Sequence, residues 1–222
     1  MVLDKVAASA DAALGGVTDG SVILVGGFGG AGAPRALLDA LADRELRCLT
    51  LVSNNAGASG DGIEVLLSSG AVKKVICSYP TSPGSVVFEQ LYRQGRVELE
   101  LIPQGTLSER IRAAGAGIGG FYVRTGVGTE LTAGKEERVL DGCTYVLERP
   151  LYADLALIAA KSADRWGNLV YRKSARNFAP TMAAAASRTV AQVTTIVELG
   201  ELDPEAVVTP GIFVQAVVEV GT

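Results

Sequence analysis

Apolar positions run along this chain in two alternating rhythms. Short aliphatic or β-branched runs fall at residues 21–25, 49–52, 75–78, 98–102, 144–147, 154–160, 194–199 and 212–218. Several are apolar on consecutive residues, as in a strand covered on both faces, which is the habit of parallel sheets. Between them lie stretches with apolar residues at helical spacing, among them 34–46 and 106–114,. The pattern predicts an α/β fold: an open, mostly parallel sheet covered by helices, forming a single domain over residues 1–222,. Residues 115–137 break the rhythm with Gly, Thr and charge, and read as a long surface loop or small subdomain,. The first 13 residues place Leu3, Val6, Ala10 and Ala13 at helical spacing among charges of both signs. They predict an N-terminal helix rather than a signal peptide, and a cytoplasmic protein. No apolar run approaches the roughly 20 residues of a membrane span, so no membrane partner is expected.

Composition narrows the chemistry. At 222 residues, 48% hydrophobic and 20% charged, the chain can bury one ample core,. A net charge of −4 without a basic run lacks the footprint of a nucleic-acid binder,. There is no histidine, which removes Ser-His-Asp and Cys-His catalysis and every histidine-based metal site, so no metal is expected,. Cys48, Cys77 and Cys143 are odd in number and form no CxxC, which reads as free thiols in a reducing compartment,. Glycine is abundant, 27 of 222 residues, so the backbone must turn sharply or approach something closely at many points,.

The densest glycine cluster follows the first strand: Gly26, Gly27, Phe28, Gly29, Gly30, Ala31, Gly32 and Ala33, then Pro34 opening a helix,. Gly27, Gly29 and Gly32 satisfy GxGxxG, but the next strand ends in Ser53, Asn54 and Asn55 instead of the acid that holds a dinucleotide ribose,. A phosphate loop at Gly134 and Lys135 fails because Glu136 stands where Ser or Thr is needed,. Without either cofactor, a strand, glycine turn and helix N-terminus still predict several backbone N–H groups facing one point, ready for an anion or oxyanion. An asparagine of Ser53-Asn54-Asn55 and Gln104, at the ends of two further strands, would bring neutral amides to the same sheet edge,. Together these describe an oxyanion hole without its nucleophile. That nucleophile is a carboxylate, a cysteine or a group on another chain. Cys77 ends a strand with no base beside it; Glu64, Glu109 and Glu148 are carboxylates that sequence does not rank, and Thr106 with Glu109 has capping-box spacing,.

These residues resemble the A (alpha) subunit of the family I 3-oxoacid coenzyme A-transferases. The motifs carrying the likeness are Asp19-Gly20 with the glycine loop through Pro34, SNNAG at 53–57, PQGTLSERIRAAGAGI at 103–118, TGVGTEL at 125–131, RKSARNF at 172–178 and the ending PGIFVQAVVEV. They cover essentially the whole chain. The stretch DRWGNLVYRKSARNF, with the short link between Lys135 and Tyr145, is most similar to the branch acting on 3-oxoadipate rather than on acetoacetate.

The resemblance implies transfer of CoA from succinyl-CoA to 3-oxoadipate in aromatic-acid catabolism, with no bound cofactor and the CoA thioester as substrate. It also implies a B subunit, in a heterodimer or an A2B2 heterotetramer, whose glutamate attacks the thioester and carries CoA as a glutamyl thioester. By position, Asn54 matches the amide donor to the thioester oxyanion and Gln104 a residue of the carboxylic-acid pocket. Gly26, Gly27, Phe28, Gly29, Gly30 and Gly32 match the loop around that pocket. Arg35 is a solvated helix residue or a partner for the substrate's distal carboxylate; residues 172–177 meet CoA phosphates, a dicarboxylate or the subunit interface. Two other readings stay open: the same transfer to acetoacetate or another 3-oxoacid, and a catalytically silent acyl-CoA-binding module.

Overall fold

The computed structural model describes residues 3–57, 60, 62–81 and 84–221. A one-turn helix α1 (Ala10–Ala13) leads into β1 (Val22–Val25), α2 (Arg35–Ala42), β2 (Leu49–Asn55), α3 (Gly62–Ser68), β3 (Val72–Tyr79), α4 (Val87–Arg93), β4 (Glu98–Leu101) and α5 (Gln104–Gly115). Then come β5 (Phe121–Val123), β6 (Glu137–Leu140) and β7 (Cys143–Glu148), followed by β8 (Ala153–Asp164), β9 (Leu169–Val170), α6 (Ala179–Ala185), β10 (Ala186–Val197) and β11 (Ala216–Glu219). The main sheet has the order β11-β10-β8-β1-β2-β3-β4, every neighbouring pair parallel, with β9 added antiparallel to β8.

Both faces of this sheet are covered, which explains the continuous apolar strands. Ile23 and Val25 pack with Leu51, Val75 and Leu157 on one face; Leu24 packs with Val52, Ile76 and Ile158 on the other,. The first face is closed by α2 and α3 through Leu37, Leu38, Leu41, Leu66 and Leu67. The second is closed by α5 and α6 through Leu107, Ile111, Met182 and Ala183. Burying each such leucine contributes about 1.5–3 kcal/mol over leaving it in water. The first strand lies in the middle, with β2 to β4 built outward on one side and β8, β10 and β11 on the other. The crevice beyond its carboxyl end is therefore the switch point where open α/β sheets bind ligands.

The sequence pattern misplaces several elements. Residues 3–9 are not helical: Val6 bridges to Val217, Ala7 N–H donates to the Val217 carbonyl at 2.8 Å and Val217 N–H to that of Lys5 at 2.8 Å. The free edge of β11 offers unpaired backbone groups, and pairing there outweighs the weak helical tendency of so short a segment. Only Ala10–Ala13 coil, capped by the Ser9 hydroxyl,; Met1 and Val2 lie outside the described residues. The strand expected at 212–218 begins at Ala216, because Gly211–Phe213 form a 3-10 turn. The strand expected at 194–199 starts as early as Ala186. The run at 144–147 is extended but leaves the main sheet, joining a three-stranded antiparallel sheet ordered β5-β7-β6. Thr106 does not cap α5, whose N-cap is Pro103; Glu109 instead pairs with Arg112 at 2.9 Å, a turn further along the helix.

Candidate active site

Three adjacent parallel strands bring the first part of the site together. β2 and β3 pair Ser53 with Cys77 and Asn55 with Tyr79, which sets Asn54 beside Ser78. Ser78 Oγ stands 3.0 Å from both the backbone oxygen and Oδ1 of Asn54. Gln104, first residue of α5 beyond β4, donates from Nε2 to the same Oδ1 at 2.6 Å. Asn54 is 5% exposed, so its side chain is held by the fold and not by solvent. With Oδ1 committed twice, the Nδ2 amide is the free end, and among the described residues it donates to nothing. Asn54 borders a cleft lined also by Gly26, Gly27, Gly30, Ala33, Ser53 and Asn55, with an interior of about 10 Å³, room for one water-sized oxygen,.

The glycine loop roofs this cleft, but not as an open nest of N–H groups. Phe28 and Ala31 exchange backbone hydrogen bonds of 3.0 Å in both directions, closing a hairpin whose turn is Gly29 (φ 55°) and Gly30 (φ 84°). Positive φ at both turn positions is the primed geometry that glycine alone enters without strain. Gly26 N–H is taken by the Leu157 carbonyl, Gly27 N–H by Asn177 Oδ1 and Ala33 N–H by the Gly30 carbonyl. Even the α2 N-terminus is partly used, since Gln192 Oε1 accepts from Leu37 N–H at 3.3 Å. Among the described residues the N–H groups of Gly29, Gly30 and Gly32 stay free. Sequence reasoning predicted a converging array; the loop's own bonds and its partners Leu157 and Asn177 take most of it, because backbone N–H groups that can find an acceptor do so,.

The candidates separate by place. Gly26, Gly27 and Gly30 line the cleft with Asn54; Phe28 is exposed on the loop's outer side, Gly32 packs against Ala175, and Gly29 is the hairpin tip. Gln104 reaches the cleft only through Asn54. Arg35 is exposed, its guanidinium alongside Gly30. The segment 172–177 lies against the loop's outer side, where Phe28, Ala31, Lys173, Ser174, Arg176 and Asn177 border a cleft of about 420 Å³. Sequence reasoning passed over Ser78, and it took Asn177 only as part of the basic segment 172–177, not as a partner of the glycine loop. Strand alternation puts Ser78 on the face of Asn54, a signal readable once β2 and β3 are taken as neighbours.

The candidate nucleophiles fare poorly. Cys77 is fully buried, and burial pushes its thiol up to about 12, only partly offset by the hydrogen bond from the Tyr79 backbone,. Glu148 is 3% exposed and locked between Lys135 Nζ at 2.5 Å and Arg110 Nε at 3.9 Å. Glu109 pairs with Arg112, and Glu64 accepts from the Gly60 N–H. Among the described residues none bordering the cleft is a carboxylate or thiol, and its one hydroxyl, Ser53, donates to the Asn55 carbonyl. Among the described residues no cluster of three Cys, Asp or Glu is placed to hold a metal ion, and no helix is long and apolar enough to cross a membrane.

Residues 7–220 match the profile of the coenzyme A transferase family. The chain is 57% identical over 219 residues to the A subunit of 3-oxoadipate CoA-transferase from Pseudomonas putida, covering 99% of this chain and 95% of that one. It is 58% identical, over 99% of its length and 96% of the relative's, to the protein of the same name from Acinetobacter baylyi. It is 47% identical to the A subunit of a probable succinyl-CoA:3-ketoacid coenzyme A transferase from Bacillus subtilis, over 97% and 90% of the two chains. Among solved structures, glutaconate coenzyme A-transferase from Acidaminococcus fermentans superposes with a TM-score of 0.88 at 22% identity, covering 98% of this chain and 76% of that one. An Escherichia coli acyl-CoA transferase, solved as a thioester complex with CoA, gives 0.84 at 24% identity and covers 98% of this chain but 47% of its own.

Proposed function

The chain belongs to the coenzyme A transferase family, and from that premise we propose that it is the A subunit of an enzyme moving CoA from succinyl-CoA to 3-oxoadipate. The observation that carries this reading is a built amide donor with no nucleophile beside it. Ser78 and Gln104 hold Oδ1 of Asn54 and leave Nδ2 free, Asn54 borders a cleft of one-oxygen size, and no described residue bordering that cleft is a carboxylate or thiol. The attacking glutamate then comes from a B subunit. Its carboxylate adds to the thioester carbonyl, the carbonyl oxygen becomes an oxyanion, and Asn54 Nδ2 donates to it. Collapse expels CoA thiolate and leaves an acyl anhydride on the glutamate. The thiolate attacks the glutamyl carbonyl, giving a glutamyl-CoA thioester and freeing succinate. The acceptor's carboxylate then runs the sequence in reverse. Conserving the thioester requires water to be kept out, which a cleft this narrow favours,. The names and near-full-length identity of the relatives from Pseudomonas putida and Acinetobacter baylyi favour 3-oxoadipate as acceptor over acetoacetate.

The test is to co-produce the chain with its companion B subunit, then compare kcat/KM on 3-oxoadipate and acetoacetate with succinyl-CoA as donor. Preference for 3-oxoadipate is expected; preference for acetoacetate overturns the substrate. In the same complex Asn54→Ala should lower kcat by roughly 10²–10³ with assembly intact, the usual cost of one oxyanion donor. A normal rate in that variant would remove Asn54 from the chemistry.

A further inference from the structure

The glycine hairpin rests on a turn whose backbone is strained. Lys173 (φ 51°) and Asn177 (φ 25°, ψ −119°) both hold conformations that residues with a Cβ avoid,. Such outliers persist only where the surroundings hold them, and they gather at functional sites. What holds Asn177 is its own amide. Oδ1 accepts from Gly27 N–H at 3.1 Å and from Phe178 N–H at 2.7 Å. Nδ2 donates to the Ala31 carbonyl at 2.9 Å, with the Ala175 and Ser174 carbonyls at 3.1 and 3.4 Å. Gly27 precedes the Phe28–Ala31 hairpin and Ala31 closes it, so one side chain grips both arms of the loop across 146 or more residues of sequence. The fit is close from the loop's side too, because a Cβ on Gly32 would stand 2.2 Å from the Ala175 carbonyl oxygen.

We infer that Asn177 is a positioning residue of the transfer reaction: its amide clamps both arms of the glycine hairpin and so sets the roof of the Asn54 cleft. This rests on the transferase reading given above. The chemistry explains the residue type. Gripping an N–H on one arm and a carbonyl on the other takes an acceptor and a donor on one short planar group, which Asn supplies and Asp or Ser does not supply with both ends fixed. Glycine would suit the backbone at this position far better than asparagine. That asparagine stands here points to the side chain, and not the turn, as what the position is for.

The test uses the assembled two-chain enzyme and two variants. Asn177→Gly relaxes the backbone and removes the clamp; Asn177→Ala keeps the strain and removes the clamp. Both should assemble normally by native mass spectrometry, and both should lose kcat by roughly 10- to 100-fold, the scale of a displaced catalytic wall, with KM for succinyl-CoA within about threefold. If the position served only the turn, Asn177→Gly would keep wild-type kcat, and that result overturns the inference. Failure of Asn177→Gly to assemble would overturn it equally, since the relaxed backbone must leave the fold intact. Hydrogen exchange gives an arm independent of activity: Gly27 and neighbouring loop amides should exchange at least about tenfold faster in Asn177→Gly. Unchanged exchange sinks the clamp. An inactive wild-type complex with accelerated exchange in the variant would instead fault the transferase reading and leave the clamp standing.

Discussion

Asn54 owes its orientation to two neighbours that do not themselves border the cleft. Removing the Ser78 hydroxyl leaves Oδ1 held only by Gln104, so the amide can rotate and Nδ2 spends less time aimed at the oxyanion. A net hydrogen bond of roughly 1 kcal/mol is a factor of five to ten. Ser78→Ala should therefore lower kcat by about that factor, far less than Asn54→Ala, with the melting temperature nearly unchanged; steady-state kinetics on the assembled enzyme check it. Cysteine chemistry gives a second residue-level prediction. With Cys77 buried and its thiol raised to about 12, an aromatic disulfide reagent near pH 8 should label exposed Cys48 first, half-buried Cys143 more slowly, and Cys77 only on unfolding,. Rapid labelling of Cys77 in the folded chain, read by peptide mass spectrometry, would reopen it as a nucleophile. The placement of Asn54 and Gln104 at one sheet edge was legible because amides at neighbouring strand ends are few. Ser78 was not, because a serine ending a strand says nothing of the asparagine one strand away until the register is known.

At the scale of elements, the order of strand, glycine turn and helix was plain in the sequence, while the hydrogen bonds inside the turn were not. The grip of Asn177 spans the chain from residue 27 to residue 177, and no local pattern announces so distant a contact. Edge pairing misled the reading of the N-terminus for the same reason: helical spacing at Leu3, Val6 and Ala10 is real, but the partner that overrides it is β11, at the other end of the chain. Helix α5 shows how an element that delivers a site residue is anchored. Arg110 lies between Glu100 on β4, at 3.2 Å, and Glu148 on β7, at 3.9 Å, and also donates to the Arg149 carbonyl; Lys74 and Lys135 complete an alternating row of five charges. Arg110→Ala strips Glu148, almost wholly buried, of one of its two cations, and should reduce unfolding free energy by about 2–4 kcal/mol in urea, at unchanged m-value,. Burial pushes the Glu100 carboxyl up, but Lys74 and Arg110 outweigh it and hold the group below its ordinary 4.5. A lowered folded-state value means that this stabilisation is complete above about pH 4.5 and is lost as pH falls through the lower one,. As pH falls below about 4.5 the gap between the melting temperatures of wild type and Arg110→Ala should therefore narrow by the share that Glu100 contributes,. A gap that stays constant as the pH falls below that value would show that Arg110 does not hold Glu100 in its charged form.

For the whole molecule, the decisive fact is a site that stops half-way. Helices cover both faces of the sheet, yet the crevice at the switch point is bordered by one anchored asparagine, by Gly30 with its free N–H and by no described carboxylate or thiol. An oxyanion donor accelerates nothing without an attacking group, because it acts only on charge that an attack creates. The arrangement therefore makes sense as one wall of a cleft whose other wall belongs to a second chain. This predicts a sharp stoichiometry. With the companion chain held fixed and this chain titrated in, CoA transfer from succinyl-CoA should rise linearly and stop at one chain per companion, with each chain alone giving less than about a thousandth of the final rate. That ratio reflects the loss of the nucleophile in one case and of the oxyanion wall in the other, the latter bounded by roughly 10²–10³ for a single donor and more once the roof goes with it. A break at any other ratio would mean that a cleft is not shared between one of each chain. A full rate from this chain alone would place the attacking group within it, and Glu64, the candidate carboxylate on the helix that contributes Gly62 and Ile63 to the cleft, would be the first side chain to replace.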